Sequence, residues 1–261
     1  MANILDIIVA NKRREVASKA ALGAYDRVLV EAEKCSRPTI SMSRALASSD
    51  TGIIAEFKRR SPSKGEIHAM ALAAEVISGY AANGASACSV LTDTPFFGGS
   101  LADLAIARSS VSIPLLRKEF VVDARQIFEA RCYGADAILL IASVLTFDEI
   151  CKFIDIAHGL GMETLLELHN MAELDKLSPE TDMVGVNNRN LSNFVTDTDT
   201  SLKLIQALPA DIVKVAESGL TSIAEVERLR GEGYRGFLIG ERFMKHENPA
   251  NALKEFLHGT V

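Results

Sequence analysis

The sequence predicts an α/β protein, specifically a closed (β/α)8 TIM barrel with an N-terminal helical extension, and three observations carry that reading. Eight short β-rich runs alternate with stretches of helical period, and their ends recur roughly every 20 to 35 residues, the length of a strand, a loop and a crossover helix. Runs such as AILLI and DIVKVA are apolar on both faces, as suits a parallel sheet covered on both sides. An open doubly wound sheet would announce its ligand with a G-x-G-x-x-G turn between strand and helix, or with a G-x-x-x-x-G-K-[ST] loop, and neither is found in that setting.

The elements follow in order. Leu5, Ile8, Val9 and Lys12 to Val16 repeat at helical spacing, and a second short helix is expected near Ser43–Ala47. This first stretch, residues 1–50 of a single 1–261 barrel domain, is read as a cap closing the bottom or side of the barrel, with a substrate-covering role as the alternative. The strands are expected at Gly52–Lys58, Ala87–Leu91, Ile113–Lys118, Ala137–Ile141, Glu163–Leu168, Met183–Asn187, Ile212–Glu217 and Gly236–Ile239. Helical patterns between them include Ala71–Ala82, Ala124–Tyr133, Thr146–His158 and Ser222–Arg230. Gly84, Gly134, Gly161 and Gly233 stand just before a strand, where glycine permits the left-handed turn that stops a helix.

Composition narrows the function classes. Of 261 residues 48% are hydrophobic and 24% charged, an ordinary globular balance with material for one large core. A net charge of −6 gives no reason to expect nucleic acid or an acidic membrane surface as partner. Cys35, Cys88, Cys132 and Cys151 form no zinc or disulfide framework and read as reduced, mostly buried thiols. The N-terminus lacks the apolar run and cleavage site of a signal peptide. No apolar run approaches the roughly 20 residues that span a bilayer. A cytoplasmic location, a monomer (weak self-association being the alternative) and no metal are the expectations.

Polar residues collect where a barrel keeps its chemistry, at the C-terminal ends of strands and in the loops beyond them. Glu56 and Lys58 are two apart and share a face of the first strand. An inward lysine there is costly unless paired or used. Leu116, Lys118 and Phe120 share a face of the third strand, and Leu165, Glu167 and His169 share a face of the fifth. The sixth ends in Asn187-Asn188-Arg189, the seventh in Glu217-Ser218-Gly219 and the eighth in Gly240-Glu241. Glycines after strands seven and eight mark the place where barrels grip phosphate with backbone N–H groups. The residues therefore describe a barrel enzyme acting on a phosphorylated small molecule, with lysines and carboxylates for acid, base and anion binding. Glu56–Lys58 as a mere interior ion pair is the alternative. Arg59, Arg60 and Lys64 read as a solvated loop, His169 as structural, and Ser61–Ile67 as a flap that closes over substrate.

The ordered motifs resemble one family. IAEFKRRSPSKG at residues 54–65 is similar to the first-strand signature of indole-3-glycerol phosphate synthases. SVLTD at 89–93, PLLRKEF at 114–120, LLELH at 165–169, GVNNRNL at 185–191, AESG at 216–219 and LIGE at 238–241 follow in the family's order. The N-terminal ILDIIVANKRREV also resembles the family's extension, so the likeness spans nearly the whole chain. It implies ring closure, decarboxylation and dehydration of 1-(2-carboxyphenylamino)-1-deoxyribulose 5-phosphate without a cofactor. It further implies Lys118 as principal general acid, Lys58 and Glu167 as acid and base for loss of water, Glu56 as their support, and Asn187 holding sugar hydroxyls or orienting Glu167. Ser61, Glu217, Ser218, Gly219, Leu238, Gly240 and Glu241 fall around the phosphate and sugar. Phe97, Phe120 and Leu191 fall at the aromatic slot, and Arg189 is an anion-binding candidate. Glu241 departs from members with serine there, which requires its backbone N–H, not its carboxylate, to face a phosphate. Another phosphate barrel, such as phosphoribosylanthranilate isomerase or a sugar-phosphate decarboxylase, is argued against by the paired E-x-K, SPSKG and RKEF motifs. A catalytically dead scaffold is argued against by the intact Lys58, Lys118 and Glu167, and a metal-dependent barrel by the lack of a His and carboxylate cluster. For a flavin-dependent barrel the check is the colour of the purified protein.

Overall fold

In a computed structural model, which describes residues 3–189, 196 and 199–259, eight parallel strands close into a barrel. They are β1 (Ile53–Phe57), β2 (Ala87–Leu91), β3 (Leu115–Lys118), β4 (Ala137–Ile141), β5 (Glu163–Leu168), β6 (Met183–Asn187), β7 (Val213–Glu217) and β8 (Gly236–Ile239). Each pairs with its neighbours in sequence, and β8 closes on β1 through Ile53↔Phe237 and Ala55↔Ile239. The expected strands are all present; β1, β3 and β7 begin one or two residues later than expected, and β1 also ends one earlier, just before Lys58. Gly52 turns in at a φ of 62°, and its backbone packs so tightly on Arg235 that a Cβ would sit 2.2 Å from the Arg235 carbonyl oxygen. Pro114, without an N–H to donate, precedes the first paired residue of β3.

The period of two sorts side chains into two cores. Ile53, Ala55 and Phe57 face outward and join the layer under the helices. Ile54, Ala87, Leu116, Ala137, Leu165, Met183 and Val215 face inward and fill the lower barrel. Two residues further along β1, β3, β5, β6 and β7, the same inward face presents Glu56, Lys118, Glu167, Gly185 and Glu217. An apolar floor thus passes directly into a polar mouth.

Helices α1 (Ile4–Ala21), α2 (Asp26–Glu33) and α3 (Met42–Ala47) precede the barrel. They divide the work expected of the N-terminal segment. Met42 and Leu46 of α3 insert into the lower interior, and Ser41 and Ser43 bind Glu163 at the start of β5. This helix closes the bottom. By contrast α1 buries Leu5, Ile8, Lys12 and Val16 and lies at the opposite end, where Ile4, Leu5 and Ile8 line the mouth. The expectation of a bottom or side cap is therefore corrected for α1, whose apolar stripe showed that it packs but not against which end.

Between strands run α4 (Ala73–Ala82), α5 (Thr94–Phe97) with α6 (Leu101–Ser110), α7 (Arg125–Cys132), α8 (Phe147–Gly159), a 3-10 turn over Met171–Lys176, α9 (Asp199–Ile205) and α10 (Ile223–Gly231). α11 (Glu241–Met244) and α12 (Pro249–Leu257) follow β8. Thr146 and Ser222 cap α8 and α10 with reciprocal side-chain bonds to Glu149 and Glu225. Gly84, Gly134, Gly161 and Gly233 all take positive φ, as their positions require. The spacing Gly231-x-Gly233-x-x-Gly236 is that of a nucleotide turn, yet it runs from the end of α10 into β8, the wrong way round to present a helix N-terminus. All four cysteines are free, but only Cys88 is buried, which corrects the expectation for the other three. Among the described residues no helix is long and apolar enough to cross a membrane.

Candidate active site

The polar mouth opens into a cavity of about 630 Å³. Its base is a charge cluster built by strand register. From β3, Lys118 places Nζ 2.5 Å from Glu217 Oε2 and 3.1 Å from Glu167 Oε2. Asn187 Nδ2 donates to the other Glu167 oxygen at 3.2 Å, and the residue also lines the cavity. Just past β1, Lys58 places Nζ 2.6 Å from Oε1 of Glu56 on that strand. Two glycines make room for these carboxylates. A Cβ on Gly185 would meet Glu217 Oε1 at 2.2 Å, and one on Gly240 would meet Glu56 Oε1 at 2.4 Å.

Burial and charge set the protonation states. Burial disfavours the ammonium of Lys118, but Glu217, Glu167 and Glu56 outweigh it and hold its pKa well above the ordinary lysine range. Burial would likewise raise Glu167, yet Lys118 and His169 pull it well below the usual carboxylate range. Glu217 goes the other way. Burial raises it against the pull of Lys118, and the Glu167 charge adds to the rise. Two carboxylates sharing one ammonium are thus driven apart in acidity.

His169 is not at the rim as a free group. Its Nε2 lies 3.1 Å from Glu167 Oε1 and its Nδ1 3.6 Å from Glu173 Oε2. Burial would lower its pKa, but the two glutamates push it up to about 10. It is a cation behind Glu167, in keeping with a structural part.

The apolar side of the cavity is made by Phe97 and Phe120, whose ring centroids are 5.9 Å apart, together with Ile4, Leu5 and Ile8. Ser61, Leu238, Arg189, Ser218, Gly219, Gly240 and Glu241 also line the cavity. Ser218, at a φ of 64°, is the one non-glycine residue in the left-handed region among the described residues, and Gly219 follows at 78°. Holding serine there costs of order 1–3 kcal/mol, strain that clusters at ligand sites. Arg189 reaches Ser63 Oγ at 3.1 Å and Glu241 Oε2 at 3.4 Å. Lys64 Nζ lies 3.6 Å from Glu241 Oε1. The Glu241 carboxylate therefore sits between two cations. The Ser61–Ile67 segment is a short antiparallel hairpin, Arg60–Ser61 against Gly65–Glu66, over the same end.

Leu191 lies outside the described residues. Arg59 is corrected. Its guanidinium is bidentate to Asp103 at 2.7 Å and turned onto the start of α6, not solvated, whereas Arg60 is exposed as expected. Sequence reasoning missed the contribution of Ile4, Leu5 and Ile8, and of Arg242 and Lys245, which also line the cavity. The signal for the last pair was a three-residue spacing just after Gly240, one turn of a helix facing one way.

The indole-3-glycerol phosphate synthase family model matches residues 5–256. The chain belongs to the indole-3-glycerol phosphate synthase family. It is similar to the indole-3-glycerol phosphate synthase of Bacteroides thetaiotaomicron, with 49% identity over 257 residues, 98% of each chain. Membership makes it a carboxy-lyase of tryptophan biosynthesis with a small phosphorylated substrate. Among solved structures it resembles a chain of the Pyrococcus furiosus tryptophan synthase α2β2 complex, with TM-score 0.61 and 14% identity over 81% of this chain and 98% of that one. It also resembles a thiamine phosphate pyrophosphorylase from Pyrococcus furiosus, with TM-score 0.59 and 12% identity over 84% and 98%. At such identities these two speak for the barrel alone, whereas the family rests on the synthase match.

Proposed function

We propose that Lys118, Glu167, Lys58, Glu56 and Asn187 carry out the synthase reaction on 1-(2-carboxyphenylamino)-1-deoxyribulose 5-phosphate. The observation that carries this reading is the Lys118 ammonium, held between Glu167 and Glu217 at the base of a cavity lined by Phe97 and Phe120 and by Arg189, Ser218, Gly219 and Gly240. In ring closure the aryl carbon bearing the carboxylate attacks the sugar carbonyl carbon, and the carbonyl oxygen becomes a hydroxyl by taking a proton. Lys118 donates it and contributes positive charge to the substrate carboxylate. Breaking the bond to CO2 then returns its electron pair to the ring and restores aromaticity. In the last step the hydroxyl leaves as water. Lys58 and Glu167 serve as the acid–base pair for that loss, Glu56 holding Lys58 and Asn187 orienting Glu167.

Phe97 and Phe120 take the aryl ring, with Leu191 assigned to the same slot from its motif. Ser61, Ser218, Gly219, Gly240 and the backbone of Glu241 take the phosphate, aided by Arg189, with Leu238 beneath them. Glu217 joins the charge cluster and tunes Lys118. The chain works as a single barrel domain, as a cytoplasmic monomer. Size-exclusion chromatography with light scattering tests the monomer. The reaction is tested with substrate labelled in its carboxyl carbon. One equivalent of labelled CO2 per indole product is expected, and product formation with the label retained overturns the proposal.

A further inference from the structure

Lys12 is a buried lysine that the proposed chemistry does not use. Its side chain is 2% exposed, and its Nζ lies 2.9 Å from Glu15, 3.1 Å from Asp93 Oδ2 and 3.2 Å from Glu119 Oε1. Asp93 and Glu119 are themselves buried. Burial disfavours the ammonium, and Glu119, Asp93 and Glu15 outweigh that cost and keep it charged.

The partners matter more than the pairing. Asp93 uses its other oxygen to accept from Phe96 N–H at 2.8 Å. That bond caps α5, the short helix that ends in Phe97. Glu119 accepts from Phe120 N–H at 2.9 Å and, through Oε2, from Thr92 Oγ1 at 2.8 Å. Each carboxylate thus fixes the backbone beside one of the two phenylalanines, and Lys12 joins both to α1. One turn before Lys12, Ile8 lines the same slot from α1 itself.

We infer that Lys12 is a positioning residue for the aromatic end of the substrate, its ammonium holding α1, Phe97 and Phe120 together as one three-sided slot. The inference rests on the proposed reading of Phe97 and Phe120 as the ring site. Three elements meet at one charge, so its loss loosens every wall of the slot at once. The anion-binding end, built on other loops, does not depend on it.

The test uses the full chain with Lys12→Met and Lys12→Arg, and two readouts. The first is tryptic cleavage at Arg13 and Arg14, which are exposed on α1 and are cut when the helix opens. Lys12→Met is expected to speed cleavage by about tenfold, and Lys12→Arg to restore most of the protection. The second sets KM for the carboxyphenylamino substrate against competitive inhibition by inorganic phosphate. Lys12→Met is expected to raise KM roughly tenfold, with kcat changed less and the phosphate inhibition constant within about twofold. If Lys12→Met does not fold, Lys12→Gln takes its place, with intermediate changes expected in both readouts. Unchanged cleavage, an unchanged KM, or a KM and phosphate constant that rise together overturns the inference. A wild-type chain that does not turn over the substrate counts against the reaction instead, and the cleavage readout still decides the tether.

Discussion

The ammonium of Lys118 reaches across the barrel mouth to lie 2.5 Å from the carboxylate of Glu217. Their strands, β3 and β7, stand on opposite sides of the closed sheet, and Glu217 is almost wholly buried. Its raised pKa, caused by burial and sustained by Glu167 against the pull of Lys118, gives a prediction with a definite sign. A carboxyl raised in the folded state contributes stability at low pH that is lost as pH rises through the raised value. Glu217→Gln is therefore expected to raise Tm more at about pH 8 than at about pH 5, while lowering kcat by about tenfold or more. Thermal melts and rate profiles at the two pH values check both halves. A Tm gain confined to the acid side contradicts the assignment.

Gly185 and Gly240 are predicted to be intolerant for a chemical reason. Alanine at Gly185 meets Glu217 Oε1 at 2.2 Å, the end of a side chain, whereas at Gly240 it meets not only Glu56 Oε1 but also Glu56 Cβ at 2.9 Å, which moves only with its backbone. Gly185→Ala and Gly240→Ala should each cost about ten- to a hundredfold in kcat, the first with little change in Tm and the second with a lower Tm as well. Steady-state kinetics beside a melting curve decides it, and unfolded variants would show instead that the glycines serve the backbone.

His169 stabilises the fold as a cation. Its pKa is pushed up to about 10 by Glu167 and Glu173. A raised histidine gives stability that is fully present below the unfolded value, about 6.5, and is lost as pH rises through about 10. His169→Asn should cost about 1–3 kcal/mol near pH 6 and less above pH 10. Urea midpoints at the two pH values measure the difference, and a cost independent of pH would show that only packing is lost.

Glu241 pairs with Arg189 and Lys64, and on the proposed placement of the phosphate it competes with that group for both. Neutralising it in Glu241→Gln frees both cations, and exposed pairs of this kind are worth up to about 1 kcal/mol. Inorganic phosphate should then inhibit up to about fivefold more tightly, less so at high salt. Weaker inhibition would mean that Glu241 supports the anion site.

Much of this site was legible because strand geometry is local. A period of two puts Glu56 with Lys58, Lys118 with Phe120 and Glu167 above Leu165, and the structure keeps each on the inward face. What could not be read is what meets across the barrel. Lys118 and Glu217 are 99 residues apart, and no spacing encodes their contact, so Glu217 read as a substrate contact and not as a partner of the acid. The same holds for Arg59, whose partner Asp103 lies 44 residues on, and for α1. Its stripe of Leu5, Ile8, Lys12 and Val16 says that one face is buried, while the lysine within it was the overlooked sign of carboxylates on the other side.

In the proposed mechanism Lys118 is the acid of the ring-closing step. The most direct measurement is product emission from the carboxyphenylamino-deoxyribulose phosphate substrate with the wild-type chain and with Lys118→Met. The chain contains no Trp, so new indole fluorescence appears against a quiet protein background. Strong emission is expected from the wild type, and a rate at least about a hundredfold lower from a folded variant, the scale of general acid catalysis. A folded Lys118→Met that forms the indole at a near wild-type rate would contradict it.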